Sequence, residues 1–323
     1  MKYPAKEEWG KLVERPHLDV SQLNATVEGV LNDVKNNGDA AVKHYEEKFD
    51  HAHLSALAVT EAEIEEAEGL ISPELKHALE LAHHNIATFH QSQKFEGEKV
   101  ETAPGVTCWQ KSVAIEKVGL YIPGGTAPLF STVLMLATPA KIAGCKEIVL
   151  CTPPNAEGKV NPAILMAAKI AGVSKIFKAG GVQAIGAMAY GTESVPKVDV
   201  IVGPGNKFVA SAKKAVFGAV GIDMVAGPTE VLIIADKNAN PAWVAADLLA
   251  QAEHDIVAQP ILVTDSVEFA EKVSNQIESQ LETLTTKAIA RQSIDNYGKI
   301  ILVDDLEEAV EVANRKADRK SVV

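Results

Sequence analysis

The stretch VAIEKVGLYIPGG, residues 113–125, indicates the class of fold. Its apolar and β-branched residues form a short run that ends in a Pro-Gly-Gly turn, and a helical pattern follows. Six later runs have the same form: KEIVLCTPP (146–154), SKIFKAGG (174–181), VDVIVGPG (198–205), EVLIIAD (230–236), PILVTD (260–265) and KIILVDD (299–305). Strands that are apolar on both faces and separated by helices are typical of parallel βαβ units under helical layers. The sequence therefore predicts an α/β fold with two Rossmann-like parallel-sheet domains.

The region before these runs predicts an N-terminal helical segment. Helix start signals stand at Ser21, Asp39 and Thr60, and Ser72 precedes a proline at the first helical position. The turn Ala-Gly-Pro at 226–228 is a candidate boundary between two sheet units. We expect an N-terminal segment at 1–20, a discontinuous first α/β domain formed by 21–120 and 229–323, and a second α/β domain at 121–228.

The charge and hydropathy of the chain exclude some classes of partner. The 323 residues carry a formal net charge of −12, which disfavours binding to the phosphate backbone of nucleic acid or to anionic lipid. No apolar run approaches the roughly 18 to 20 residues that a membrane-spanning helix needs, and the charged start lacks the apolar centre of a secretory signal. Cys108, Cys145 and Cys151 form no Cys-x-x-Cys pair and fit a reducing compartment. We therefore expect a cytoplasmic protein that binds neither nucleic acid nor membranes.

Three glycine-rich turns follow predicted strands: YIPGGTAP at 121–128, AGGVQAIG at 179–186 and VGPGNKF at 202–208. Open α/β sheets bind ligands at the carboxyl ends of their strands, and the start of a helix there offers unpaired N–H groups to an anion. None of the turns matches G-x-G-x-x-G or a P-loop, and each alone could be a plain connector. Together, with Tyr121, Gln183 and Asn206 as their aromatic or polar side chains, they favour an atypical nucleotide site.

A second candidate site is the Gln-x-x-His pair at the end of PAWVAADLLAQAEH, residues 241–254, a segment that predicts a helix capped by Asn240. Gln251 and His254 are three residues apart, which places two side chains on one helix face. Histidine is a common zinc ligand and glutamine an uncommon one. The alternative is a histidine that interacts with the helix dipole beside a solvated glutamine, and the pair alone does not decide between them.

Four longer strings, taken together and in order, resemble the histidinol dehydrogenase family. They are VGLYIPGGTAPLFSTVLMLATPAKIAGCKEIVLC (118–151), FKAGGVQAIGAMAYGTESVPKVDVIVGPGNKFV (177–209), IDMVAGPTEVLIIAD (222–236) and DLLAQAEHD (247–255). The resemblance extends from the N-terminal helices to about Asn314. It implies a zinc-dependent, NAD-linked enzyme of histidine biosynthesis that works as a homodimer. Such an enzyme oxidises L-histidinol through histidinaldehyde to L-histidine and reduces two NAD in each turnover.

The resemblance also implies roles for individual residues. Tyr121, Gln183 and Asn206 would contact NAD. Gln251 and His254 would be two zinc ligands that also contact the substrate, and Thr229, where the family also has serine, would lie against the substrate. Zinc would hold the imidazole and amino group of histidinol so that the alcohol carbon faces the nicotinamide.

The sequence departs from the family after VEVANR, residues 310–315. The family continues with a Pro-Glu-His-Leu segment that carries its catalytic Glu-His pair, whereas this chain reads KADRKSVV from Lys316 to Val323. The remaining zinc ligands and the dimer-swapped C-terminal module of the family would also follow this point. We therefore expect a C-terminally truncated family member with no catalytic residue of its own and little activity alone. The helix LEEAVEVANRK, with Leu306, Val310 and Ala313 at helical spacing, would lack its usual packing.

Two alternatives stay open at this point. A non-catalytic nucleotide-binding or subunit-associating protein would keep the fold and lose the reaction. An α/β enzyme for a phosphate ligand, unrelated to the family, would explain the glycine turns but not the four ordered strings.

Overall fold

The computed structural model describes residues 3–14, 21–124, 129–225 and 230–317. Within these ranges the helices are α1 (Trp9–Leu12), α2 (Ser21–Asp50), α3 (Glu61–Leu70), α4 (Pro73–Gln91), α5 (Phe130–Ala143), α6 (Pro162–Ala171), α7 (Gly181–Tyr190), α8 (Lys207–Val216), α9 (Pro241–Ala252), α10 (Val267–Leu281), α11 (Lys287–Tyr297) and α12 (Leu306–Lys316). The strands are β1 (Val100–Ala103), β2 (Val106–Cys108), β3 (Lys117–Tyr121), β4 (Glu147–Thr152), β5 (Lys175–Lys178), β6 (Val200–Val202), β7 (Gly221–Ile222), β8 (Glu230–Ile234), β9 (Gln259–Thr264) and β10 (Lys299–Leu302). No helix in the described parts of the chain has an apolar stretch long enough to cross a membrane.

Residues 20–225 form one compact unit around a five-stranded parallel sheet. The strand order is β5-β4-β3-β6-β7, so the chain builds outward from β3 and then returns to the other side of β3 with β6. This is the order of the Rossmann fold, and the strand order reverses between β3 and β6. The carboxyl ends of these two strands are therefore the place where such a sheet binds its ligand.

Helices cover both faces of this sheet. Along β3, Tyr121 enters a core that is built with α2, α7 and α8, whereas Val118 and Leu120 enter a core built with α3, α4, α5 and α6. A parallel sheet with two covered faces needs strands that are apolar throughout, which is the pattern of the sequence. The predicted helical layers and the α/β class are confirmed.

Residues 1–19 and 226–323 form the second unit, which contains the three-stranded parallel sheet β10-β9-β8. Apolar residues of α9, α10 and α11 pack on one face of this sheet. Those of α1 and α12 pack on the other face, with Trp9 almost fully buried among them. All seven apolar runs that predicted strands therefore form parallel strands, four in one sheet and three in the other.

The division of the chain differs from the one that the sequence predicted. Residues 21–120 belong with 121–225 and not with 229–323. The physical reason is that β3, at 117–121, pairs with β4 on one side and with β6 on the other, and α2 packs against α7 and α8. A boundary at residue 120 would cut through the central strand of the sheet. The predicted boundary at 226–228 lies outside the described residues.

The face of α12 that carries Leu306 and Val310 is exposed, in agreement with the expected loss of its packing, and the helix packs by its other face. Ala309 and Val312 are buried against the sheet of the second unit, while Leu306 and Val310 are exposed. Buried Lys316, the last residue of α12, ties the helix to its surroundings by hydrogen bonds. Its Nζ donates to the carbonyl oxygen of Val13 at 3.0 Å and to Glu230 Oε1 at 2.7 Å. The predicted face with Leu306 and Val310 is thus unpacked, yet the helix is held by its other side.

The local start signals at Thr60 and Ser72 are confirmed, whereas Asp39 lies inside α2 and its carboxylate accepts hydrogen bonds from Thr192 and Ser194. Thr60 forms a capping box, since its Oγ1 accepts from the Glu63 N–H at 3.3 Å and Glu63 Oε2 accepts from the Thr60 N–H at 2.9 Å. Ser72 caps α4 ahead of Pro73. Two features had no counterpart in the sequence reading, the hairpin β1–β2 and the two-residue strand β7.

Candidate functional site

A cleft of about 950 Å³ opens in the unit of residues 20–225. Tyr121, at the end of β3, and Asn206, after β6, both line it, so it lies where the strand order reverses. Gln183 of α7 lines it as well. The structure thus brings together the three side chains that the glycine turns predicted. Other lining residues are Asp50, Pro123, Gly124, Gly181 and Phe208.

Tyr121 is hydrogen-bonded to the first residue of α7. Its ring is buried, and its hydroxyl oxygen accepts a hydrogen bond from the Gly181 N–H at 3.0 Å. Burial raises the pKa of this phenol above its ordinary value of 10, with smaller contributions from Asp50 and Glu46. Tyr121 therefore stays protonated at neutral pH, and its O–H proton remains a donor.

Gln183 is 1% exposed and is held by a residue that the sequence reading missed, Glu46 of α2. Glu46 Oε1 accepts from Gln183 Nε2 at 2.8 Å and from the Gly180 N–H at 2.7 Å. Burial raises the pKa of Glu46 from 4.5 to about 7; the two hydrogen bonds oppose this rise, and Asp50 adds to it. The other oxygens of the pair, Glu46 Oε2 and Gln183 Oε1, are buried without a hydrogen-bond partner in the described structure.

Glu46 was missed because HYEEKFD reads as a solvated helix face. A signal for its burial was present, since Glu46 stands one helical turn after Val42, which is fully buried.

Asn206 caps α8. Its Oδ1 accepts from the Phe208 N–H at 3.0 Å and from the Val209 N–H at 3.2 Å. The side chain is exposed at the cleft, and with its oxygen engaged in the cap, the NH2 group is the donor that it can offer to a ligand.

The turn before Asn206 is held by two charged residues that the sequence reading also missed, buried Lys213 and exposed Asp223. Asp223 Oδ2 accepts from the Gly203 N–H at 2.9 Å, and Lys213 Nζ donates to the Gly203 carbonyl oxygen at 2.9 Å. Lys213, which is 3% exposed, also forms an ion pair with Asp223. Both polar groups of the Gly203 backbone are therefore held next to β3.

At two of the three turns, side chains already accept hydrogen bonds from some of the backbone N–H groups that the sequence suggested for an anion. The sequence suggested unpaired N–H groups at the helix starts, but Glu46 and Tyr121 take those of Gly180 and Gly181. Asn206 takes those of Phe208 and Val209. The side chains that engage α7 come from α2 and β3, whereas Asn206 belongs to the turn that it caps. The turn at 121–128 is described only as far as residue 124.

Gln251 and His254 lie in the other unit, at the end of α9. This helix is capped by Asn240, as predicted, and ends at Ala252, so His254 follows it in an exposed turn. Gln251 is half-buried, and its Nε2 has no hydrogen-bond partner in the described structure. No group of three or more His, Cys, Asp or Glu residues is arranged to hold a metal ion within the described ranges. Thr229, the predicted substrate residue, lies outside them.

Comparisons with known proteins agree on one family. The family model described as histidinol dehydrogenase matches residues 13–320. The histidinol dehydrogenase of Bacteroides thetaiotaomicron is 59% identical over 324 residues, which cover 100% of this chain and 76% of that protein. That of Streptococcus mutans is 50% identical and covers 95% of this chain and 73% of its own length. The crystal structure of histidinol dehydrogenase from Elizabethkingia anophelis superposes with a TM-score of 0.95 at 47% identity, covering 98% of this chain and 73% of that one. The chain therefore belongs to the histidinol dehydrogenase family.

Proposed function

We propose that this protein takes part in the NAD-dependent, zinc-assisted oxidation of L-histidinol to L-histidine through histidinaldehyde. Membership of the family supports a dehydrogenase of histidine biosynthesis. The observation that carries the NAD assignment is the meeting of Tyr121, Gln183 and Asn206 at one cleft, at the point where the strand order of the sheet reverses.

The residues of the cleft fit a dinucleotide. Its volume of about 950 Å³ is that of a site for a large organic ligand. The neutral Tyr121 hydroxyl and the Asn206 NH2 group can donate hydrogen bonds, and the Gln183 side chain also lines the cleft. Gly181 keeps this region open, because its φ is +52° and a Cβ there would lie 3.0 Å from Gln183 Oε1.

NAD, when bound, supplies the hydride acceptor for both oxidation steps. The task of Tyr121, Gln183 and Asn206 is then to orient the dinucleotide, while the cleft walls exclude water from it. These residues hold the cofactor and carry no proton for the substrate. Removal of the alcohol proton and activation of water for the second oxidation need a general base, which the family supplies from its Glu-His pair.

We propose Gln251 and His254 as two zinc ligands that also contact L-histidinol, with Thr229 as a further substrate contact. The unpartnered side-chain amide of Gln251 supports this role, because the O and N atoms of a glutamine amide are interchangeable assignments and the carbonyl oxygen could face a metal. Two ligands do not complete a zinc site, which takes three or four from the protein. The described residues alone therefore do not fit zinc, and we derive no step through it.

The 323-residue chain, assayed by itself, should oxidise histidinol slowly or not at all. Where the family has its Glu-His pair, this sequence has Lys316 to Val323. The test is to load the purified chain with zinc and to follow NADH formation with histidinol, beside an equal amount of a full-length family enzyme. A comparable rate would refute the low activity and support a complete active site.

A non-catalytic nucleotide-binding protein is the second candidate. It is favoured by one observation: the cleft is built wholly from residues 20–225, which have their own hydrophobic cores. Both candidate functions require NAD binding, which calorimetry measures directly. The non-catalytic role would be favoured if NAD binds and no turnover appears, even after a full-length family enzyme with a disabled cleft has been added.

We further propose that the protein forms homodimers and works in the cytoplasm. The hairpin β1–β2 and the segment after it expose large apolar side chains, among them Val100, Val106, Trp109 and Val113. Such a patch is typical of an association surface. The three cysteines are free thiols, which fits a reducing compartment. Light scattering coupled to size-exclusion chromatography gives the oligomeric state directly.

A further inference from the structure

Glu46 is a fully buried carboxyl group that is hydrogen-bonded to Gln183, a residue that lines the proposed NAD cleft. It comes from α2 and reaches the turn at Gly180 and the side chain of Gln183 in α7. Burying a carboxylate without a cation is costly. The titratable groups that face Glu46 are Asp50 from α2, Tyr121 from β3 and Cys151 from β4, and all three are acids.

The hydrogen bond between Glu46 and Gln183 leaves one side-chain oxygen of each residue without a partner in the described structure. One bond joins Gln183 Nε2 to Glu46 Oε1 at 2.8 Å. The two remaining oxygens, Glu46 Oε2 and Gln183 Oε1, are both buried acceptors without a partner in the described structure. Two acceptors cannot bond to each other, but a proton on Oε2 would turn it into a donor for the amide oxygen. A carboxylic acid and a primary amide then form a pair with two hydrogen bonds and no net charge.

We propose that Glu46 is a positioning residue that carries a proton in the assembled cleft, and that its neutral pair with Gln183 holds α7 and the Gly180–Gly181 turn in place for NAD. This inference rests on the proposed NAD site. Glu46 itself need not touch the dinucleotide, because it acts through Gln183 and through the Gly180 N–H. The elevated pKa of Glu46, about 7, agrees with a group that is protonated at the acid side of neutrality.

The proposal gives NAD affinity a definite pH dependence. With a pKa near 7, about nine tenths of Glu46 is protonated at pH 6 and about one tenth at pH 8. If the protonated form is the competent one, the Kd for NAD should rise up to about tenfold from pH 6 to pH 8. Binding near pH 7 should take up about half a proton per NAD on average, which calorimetry detects as a dependence of the heat on the ionisation enthalpy of the buffer.

Two variants separate pairing from simple packing. Glu46→Gln can form an amide–amide pair with the same two hydrogen bonds, so its Kd should match the pH 6 value of the wild type and stay constant to pH 8. Glu46→Leu removes the acceptor for Gly180 and Gln183, so it should bind NAD weakly at every pH. Glu47→Gln is the matched control, because Glu47 is exposed on the same helix, and it should keep the wild-type pH profile.

The experiment is calorimetry of NAD with these four proteins from pH 6 to pH 8, together with an NMR titration of the Gln183 side-chain NH2 signals in the ligand-free wild type. A flat Glu46→Gln profile at high affinity and Gln183 signals that titrate near pH 7 would support the proposal. NAD binding with the same pH slope in wild type and Glu46→Gln would overturn it and leave the proposed function intact. Titrating Gln183 signals in a wild type that binds no NAD would support the pair and overturn the proposed function.

Discussion

Gly203 lies directly against the backbone of Tyr121: a Cβ atom at position 203 would come within 2.2 Å of the Tyr121 carbonyl oxygen. Gly203 also has a φ of +133°, which L side chains rarely adopt. Tyr121 is the last residue of β3 and Gly203 directly follows β6, so this close contact lies at the carboxyl ends of the two paired strands.

Gly203→Ala should therefore destabilise the unit of residues 20–225. Backbone strain alone costs about 1–3 kcal/mol, and the overlap with backbone atoms adds to this. Urea unfolding measures the loss. The control is Gly29→Ala on α2, which has open space around it and should be neutral or stabilising by about 0.5–1 kcal/mol. Equal stability of the two variants would contradict the contact.

Lys213→Met should loosen the turn that carries Asn206. It removes the donor to the Gly203 carbonyl oxygen and the cation that pairs with Asp223, at a cost of about 1.5–3 kcal/mol for the lost charge-assisted hydrogen bonds. The neighbour Lys214 is exposed, so Lys214→Met is a control for the loss of charge. Thermal unfolding compares the two, and NAD affinity should fall only in Lys213→Met.

Glu46 should make the protein less stable as the pH rises. Its folded pKa of about 7 lies above the ordinary value of 4.5, so the folded chain binds the proton more tightly than the unfolded chain between these values. Stability is therefore lost as the pH rises through that window, by about 3 kcal/mol in total. Glu46→Gln removes this loss, so it should be more stable than wild type at pH 8 and similar at pH 5. An unchanged difference between wild type and variant at both pH values, by urea unfolding, would argue against the shift.

Zinc should bind weakly to this chain and through Gln251 and His254. With two ligands, we expect a Kd well above that of sites with three or four protein ligands. Equilibrium dialysis with metal analysis gives the affinity for wild type, Gln251→Ala and His254→Ala, with exposed His53→Ala as a control. Each ligand variant should lose at least about tenfold in affinity. Tight zinc binding that survives His254→Ala would refute the assignment.

Much of the fold could be predicted from the sequence because it rests on local patterns. A strand that is apolar on both faces must be covered on both faces, so seven such runs suffice for the α/β class. Tyr121 and Asn206 could be expected near each other because both follow parallel strands, whose carboxyl ends share one edge of the sheet. The hairpin β1–β2 was not predicted, because all residues of its strands are exposed and they show no alternation of apolar and polar side chains.

The missed residues depend on contacts between distant parts of the chain. Glu46 is separated by 134 residues from Gly180 and by 137 from Gln183. Charged residues in a helix read as solvated, and only the packing of α2 on α7 shows that one is buried. The assignment of residues 21–120 failed for a related reason, since nothing local tells a helix which of two sheets it will cover.

The central claim is that NAD binds in the cleft at the carboxyl ends of β3 and β6. The most direct measurement is a titration of the isotope-labelled chain with NAD, followed by the backbone and side-chain amide signals in NMR. We expect the largest chemical-shift changes at Tyr121, Gly181, Gln183 and Asn206, and smaller changes in residues 230–317. Saturable shifts confined to another part of the chain, or no shifts at millimolar NAD, would contradict it.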